Sequence, residues 1–294
     1  MGRARRLRPL RQAAVGYAFL SPSLVGVTVF MLVPVAVVLW LTTQDWDLIG
    51  SPEFVGATQI IDVLSDAAFV NALGVTFLLI ALTVPVQVAV GLLLANLLTK
   101  GVRGTTVFRT LIVIPWISSP LALGVVWKWI FAPTGGLLSA IVGHRVEILV
   151  SPMWALPAVA FVVIWNSVGY TALFFIAGIL AIPSEILEAA EVDGATRLRA
   201  FWSIVLPLLH PTLFFVTVTS VIGAFNVFDQ IYALTGGGPN GRTSVLAWQI
   251  YAEAFENWNL GRAAVAATAM MLILIAITLL QHGYFRRRIT YALS

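Results

Sequence analysis

Few groups of residues in this chain have the types and spacing of a chemical site. The loop Gly236 to Thr243, GGGPNGRT, fits both G-x-x-x-x-G-[KR]-[ST] and G-x-G-x-x-G, patterns that cradle nucleotide phosphates in other settings. Both need a buried strand before the loop and a helix N-terminus aimed at the phosphate after it. Here the loop follows a long apolar run, and Arg242 stands where a phosphate loop needs lysine. Four glycines and a proline read more simply as a tight turn. His144, His210 and His282 are scattered and cysteine is absent, so neither a metal cluster nor a disulfide is expected. Glu253 and Glu256 have helical i,i+3 spacing, but on an outer amphipathic stretch they read as a solvated face. No spacing nominates a nucleophile with its base, so an enzyme is not expected.

Polar groups inside apolar runs are the next candidates. Asn166 and Tyr170 are four apart with Trp165 beside them, and Asn226 and Asp229 are three apart. Each pair is expected to share a helix face. Hydrogen-bonding groups with aromatic platforms suit a sugar. Hydrogen bonding between helices is an equal alternative, because polar groups in a span face protein or water. Asp229 lies toward the outer end of its run, where pairing with Lys128 is the alternative role.

Composition sets what positions these residues. Of 294 residues, 60% are hydrophobic and 10% are charged, whereas a soluble domain carries about 25% charged residues. This excludes a soluble globule, and disorder with it. Six uncharged runs reach the ~18–20 residues a helix needs to cross the hydrocarbon core. They predict spans over 13–41, 70–98, 110–131, 154–180, 211–234 and 263–284. The runs are continuously apolar and show no two-residue alternation, so they are helices rather than barrel strands.

Six spans place both ends on one side. Segments 1–12, 99–109, 181–210 and 285–294 carry 5, 3, 2 and 3 basic residues, and the other four are Lys128, Arg145, Arg242 and Arg262. The positive-inside rule then puts both termini in the cytoplasm. The first apolar run is far longer than a signal's ~7–15-residue core, so it is expected to be retained as a span. The arginines before it read as a membrane anchor, and nucleic-acid binding is not expected. Prolines 22, 34, 85, 115, 120 and 157 fall within the spans. They read as kinks, with broken backbone along a solute path as the alternative.

The densely charged interior segment is IPSEILEAAEVDGATRLRAFWSIVLPLLHP, Ile182 to Pro211. Ser184 is expected to cap a short helix with Glu185 in its first turn. Gly194 is expected to end that helix in a left-handed conformation. A second helix restarts near Thr196 and runs to Pro207. Glu188-Ala189-Ala190, Asp193-Gly194-Ala195, Phe201, Ile204, Leu206-Pro207, Leu209 and Pro211 match E-A-A-x-x-D-G-A followed by F-x-x-I-x-L-P-x-L-x-P. This resembles the EAA loop of permease subunits of binding-protein-dependent ABC importers. FLSPSLVG, FRTLIVIPW, VWKWIFAPTGG, FDQIYALTGGGP and YAEAF are similar to the carbohydrate branch of that family, of maltose and glycerol-phosphate type. Within that branch the likeness is to actinobacterial amino-sugar permeases of the UspA type.

The resemblance covers about residues 13–290 and implies an all-α polytopic membrane protein with the type I ABC importer permease fold, in the bacterial plasma membrane. It implies a coupling loop of Glu185, Glu188, Ala189, Ala190, Asp193, Gly194 and Ala195 that docks on a cytoplasmic ATPase dimer. Also implied are a second homologous permease, an extracytoplasmic solute-binding protein and a sugar substrate. No cofactor is expected on this chain, since ATP and magnesium would sit on the ATPase. The outer segment Ala132 to Met153 is a plausible contact for the binding protein. An ion-coupled carrier is the rival reading, but it predicts acidic residues near the midplane, and Asp229 is not central. A glycerol-phosphate compound is the rival solute.

Overall fold

The computed structural model describes residues 16–99 and 104–286. The basic segment expected at 1–12 and most of the tail expected at 285–294 lie outside them. Helix α1 is Gly16–Leu41. A two-residue hairpin follows, with β1 Gln44–Asp45 antiparallel to β2 Glu53–Phe54. In its turn the N–H groups of Gly50 and Ile49 donate to Asp47 and hold its carboxyl below the usual range. Helices α2 Thr58–Ser65, α3 Ala67–Leu98, α4 Thr105–Ile117, α5 Pro120–Ile130, α6 Leu137–Val142 and α7 Ala155–Leu180 come next. After them come α8 Ser184–Val192, α9 Arg197–Leu208, α10 His210–Phe225, α11 Asp229–Leu234, α12 Leu246–Tyr251 and α13 Leu260–Arg286. A π-type turn, Ala252–Glu256, extends α12.

Among the described residues four helices, α1, α3, α7 and α13, are long and apolar enough to cross a membrane alone, and two bent pairs raise the number to six. The centre of the bundle is α3 against α7. Lipid tails are as apolar as leucine, so helices associate in membranes through close packing and hydrogen bonds. Gly91 on α3 provides the close packing: a Cβ there would come 2.5 Å from Thr171 Cγ2. Gly169 provides it between α7 and α4, where a Cβ would run into the Ile112 carbonyl. Most of α1 is exposed apolar surface, with Phe19 and Phe30 more than 80% accessible, which hydrocarbon solvates at no cost.

Two expected spans are not straight. The run at 110–131 is α4 and α5, bent by 96° at Ser118–Ser119. Pro115 and Pro120 flank the break. Neither proline can donate a backbone hydrogen bond, and Ser119 restarts the helix by accepting from the Ala122 N–H. The run at 211–234 is also interrupted. Helix α10 is 16 residues long, or about 24 Å, and stops at Phe225. Asn226 ends it by turning its side chain back onto the Ile222 carbonyl at 2.8 Å, the local competition that asparagine offers a helix. Asn226 and Asp229 therefore do not share one helix face, contrary to the spacing argument.

Two glycines separate packing from propensity. Gly169→Val forces a branched side chain into the α4 backbone and is expected to cost several kcal/mol, above the ~1–3 of ordinary overpacking. Gly223 has nothing within 4 Å of a built Cβ, so Gly223→Ala is expected to be neutral or stabilising by ~0.5–1 kcal/mol. Thermal unfolding of the detergent-solubilised protein checks both.

Candidate functional site

The charged loop is two helices joined by a Schellman turn. The Ala195 N–H reaches the Ala190 carbonyl at 2.9 Å and the Gly194 N–H reaches Glu191 at 3.0 Å, while Gly194 sits at φ +76°. These are the two bonds that define that turn, with Gly194 as the left-handed residue. The EAA pattern therefore has a backbone explanation. Ala190 supplies the accepting carbonyl and is buried, and the glycine supplies the reversal. Thr196 caps α9 by accepting from the Arg199 N–H. Ser184 was the expected cap of α8, but it is the first helical residue, with Pro183 before it and no side-chain cap. Proline's fixed φ already directs the chain into the helix there.

Glu185, Glu188, Ala189 and Asp193 are exposed. None of the three acids makes an ion pair among the described residues. An open groove of about 340 Å³ separates α8 from α9, lined by Ile186, Ala190, Asp193, Ala195, Arg199 and Ile204 among others. Helix α9 meets α10 at a 69° bend, where Pro207 and Pro211 remove backbone donors. The loop is thus the direct extension of α10.

Inside the bundle the predicted polar residues part company. Asn166 is buried and donates to the Pro115 carbonyl at 2.6 Å. That carbonyl lies in the last turn of α4, where intrahelical donors run short and the Ser118 N–H reaches it only at 3.3 Å. Asn166 therefore supports the α4–α5 break. Tyr170 packs on Trp116 at 4.9 Å and on Phe174 at 4.7 Å. Trp165 meets Trp127 edge-on at 5.3 Å. Asn226 is exposed and Asp229 half-buried. No ion pair joins Asp229 to Lys128 among the described residues.

Two arrangements escaped the sequence reading. Gln87 on α3 donates to Thr171 Oγ1 on α7 at 2.8 Å and to Ser220 Oγ on α10 at 3.1 Å, all buried. One amide thus joins three spans, and a lone glutamine in an apolar run was the available signal. The second is Glu253, expected in a solvated face but only 6% exposed. It accepts from Gln249 and Asn257 at 3.0 and 3.2 Å and pairs with Arg262 at 3.5 Å. Arg262 also pairs with Asp66, which caps α3. A buried carboxylate requires such partners, and the π-type turn at Ala252–Glu256 aims it inward. The glycine-rich loop is a packed turn. Gly237 lies under Trp248 with no room for a Cβ, and the Gly241 carbonyl accepts from Asn71 at 2.9 Å.

Broken spans around a three-helix polar node, with a helical loop extending one span, define a permease of the type I ABC importer fold. Residues 87–291 match the family of binding-protein-dependent transport system inner membrane components, and the chain belongs to that family. It is therefore a multi-pass inner-membrane component. It is 37% identical over 94% of its length to the sn-glycerol-3-phosphate transport system permease protein UgpA of Agrobacterium fabrum, covering 96% of that protein. Against UgpA of Rhizobium meliloti it is 35% identical over 94% of its length, again covering 96%. A chain of a bacterial ABC transporter that imports the acidic polysaccharide alginate shares the fold. Its TM-score is 0.84 at 21% identity, covering 97% of this chain and 100% of that one.

Removing one side of the Asn166 contact separates support from solute binding. Asn166→Leu leaves the Pro115 carbonyl with only the longer bond from the Ser118 N–H, at 3.3 Å, expected to destabilise the protein by about 0.5–1.5 kcal/mol. The thermal midpoint should fall, while uptake normalised to folded complex stays within about twofold.

Proposed function

We infer that this chain is one permease subunit of an ABC importer that moves a sugar inward by ATP-driven alternating access. In this reading the termini and the 181–210 loop face the cytoplasm, and the loop sits on an ATPase dimer. A second homologous permease completes the path, and an extracytoplasmic binding protein delivers the solute, with Ala132 to Met153 as a contact. The exposed Ile141, Val150 and Met153 give that segment an apolar surface to offer. ATP and magnesium belong to the ATPase; this subunit performs no chemistry. A relative of this fold is described in complex with a pentasaccharide-bound periplasmic protein, which favours the binding-protein partner by analogy.

The observation that carries this reading is the loop itself. Three acids with no ion pair among the described residues, and an open groove, are presented outside the spans on a helix pair that leads directly into α10. Displacement of the loop by closing ATPases would move α10 and the Gln87 node with it. Trp165, Tyr170, Asn226 and Asp229 are then the solute-path candidates, with Asn166 shaping the path from behind. Among sugars, an amino sugar is the finer assignment, resting on likeness to the UspA type. A glycerol-phosphate compound is the second reading, favoured by the names of the UgpA relatives.

Gly194→Val tests the loop. The built Cβ meets nothing within 4 Å, so the effect is purely the left-handed backbone, costing about 1–2 kcal/mol for an ordinary side chain and more for a β-branched one. Insertion and folding of the spans should be unchanged, while co-purification of the ATPase or uptake falls at least about tenfold, the equivalent of ~1.4 kcal/mol. Normal values of both would overturn the docking role.

A further inference from the structure

The two helices of the charged loop divide its charge between them. Helix α8 and the residue that ends it carry Glu185, Glu188, Glu191 and Asp193 and no base, while α9 carries Arg197 and Arg199 and no acid. All of these side chains are exposed, and no ion pair joins the two sets among the described residues. The arginines stand in the first turn of α9, just after its cap Thr196. A helix N-terminus disfavours cations. This placement therefore costs stability unless an anion outside the loop offsets it.

Between the arginines lies an apolar face. Leu198 and Trp202 are four apart and share one side of α9, 68% and 59% exposed. Phe201 meets Trp202 edge-on at 5.4 Å. Arg197 and Arg199 fall about 100° to either side of Leu198, at 3.6 residues per turn. The groove toward α8 is lined by Arg199, Ala200, Ser203 and Ile204 of α9, so Leu198 and Trp202 face away from α8. The 69° bend between α9 and α10 lays α9 across the end of a span instead of along it. An apolar stripe with tryptophan, edged by arginine, is what the lipid interface selects in such a helix. Contact with the ATPase is the plain alternative for exposed apolar side chains. The division of charge argues against it. An anionic membrane surface repels the acids of α8 and attracts the arginines of α9.

We propose that the Leu198, Phe201 and Trp202 face of α9, with Arg197 and Arg199 at its edges, is seated on the cytoplasmic leaflet of the bilayer against anionic phospholipid. Leu198 and Trp202 enter the boundary between headgroups and acyl chains, and the guanidinium groups donate to phosphate oxygens. This rests on the cytoplasmic placement of the 181–210 loop given above and adds a second surface to it. Helix α8 meets the ATPase and α9 meets lipid, so the loop is held from both sides where it joins α10.

The chain has no cysteine, so single spin labels can report each face in the complete importer. Leu198→Cys, which keeps Trp202, and Trp202→Cys are compared with Val192→Cys, which replaces an α8 side chain 87% exposed. The importer is reconstituted in phosphatidylcholine with and without phosphatidylglycerol. Relaxation by oxygen, which concentrates in lipid, is set against relaxation by a water-soluble nickel chelate. Labels at 198 and 202 should favour oxygen, and the label at 192 nickel. Arg197→Gln in the Leu198→Cys background should lower the ratio of lipid-seated to water-exposed label about fivefold with phosphatidylglycerol present, the equivalent of the ~1 kcal/mol an arginine gains near an anionic surface. Nickel-favoured relaxation at both 198 and 202 overturns the lipid contact. Shielding of both labels from both reagents only when the ATPase is bound also overturns it, and assigns the face to the ATPase. Either result leaves the importer reading standing. Labelling of Val192→Cys by an impermeant maleimide from the outer side of right-side-out vesicles overturns the cytoplasmic placement itself.

Discussion

No water is available in hydrocarbon to complete an interrupted helix, so each broken backbone must find its partner in the protein. That constraint explains the arrangement at the α4–α5 break. Pro115 and Pro120 end one helix and begin another within a few residues. The carbonyl left in the last turn accepts from Asn166, one turn from the point where Gly169 lets α7 touch the α4 backbone. A larger residue at 169 would separate the helices, and a non-donor at 166 would leave the carbonyl only the longer bond from the Ser118 N–H. The break exists because α7 is built to receive it.

The same logic joins the bundle to the loop. Gln87 ties α3, α7 and α10 through two hydroxyls, and Gly91 keeps α3 close enough for that amide to reach. Helix α10 then leaves the node, bends at Pro207 to Pro211 and becomes α9 of the loop. Few flexible residues intervene between the exposed acids of α8 and the buried amide. A force applied at α8 is therefore transmitted as movement of packed elements, the shear and hinge repertoire of switching proteins. At the far end Arg262, Glu253 and Asp66 bind the starts of α3 and α13 to α12, which fixes the outer end.

Much of this was legible in the residues. Hydropathy locates spans because the bilayer imposes length and apolarity on every one of them. The EAA loop is legible because its turn requires glycine at a fixed distance from small residues. The breaks were harder. Pro115 and Pro120 marked one, although proline alone does not distinguish a kink from a 96° bend. The other, at Asn226, sits in GAFNVFDQ, where one asparagine decides against a continuous helix. Glu253 was misread because i,i+3 spacing assumes an α-helix, and a π-type turn rotates the residue by a different amount.

The absence of cysteine allows the central claim, that the 181–210 loop is the cytoplasmic docking surface for the ATPase, to be measured directly. A single Glu188→Cys replacement introduces one exposed thiol into the complete importer. Labelling by a membrane-impermeant maleimide is compared in inside-out and right-side-out vesicles, with and without the ATPase subunits. The account predicts labelling in inside-out vesicles only, and its suppression when the ATPase is present. Labelling from the outer side, or labelling indifferent to the ATPase, would contradict it.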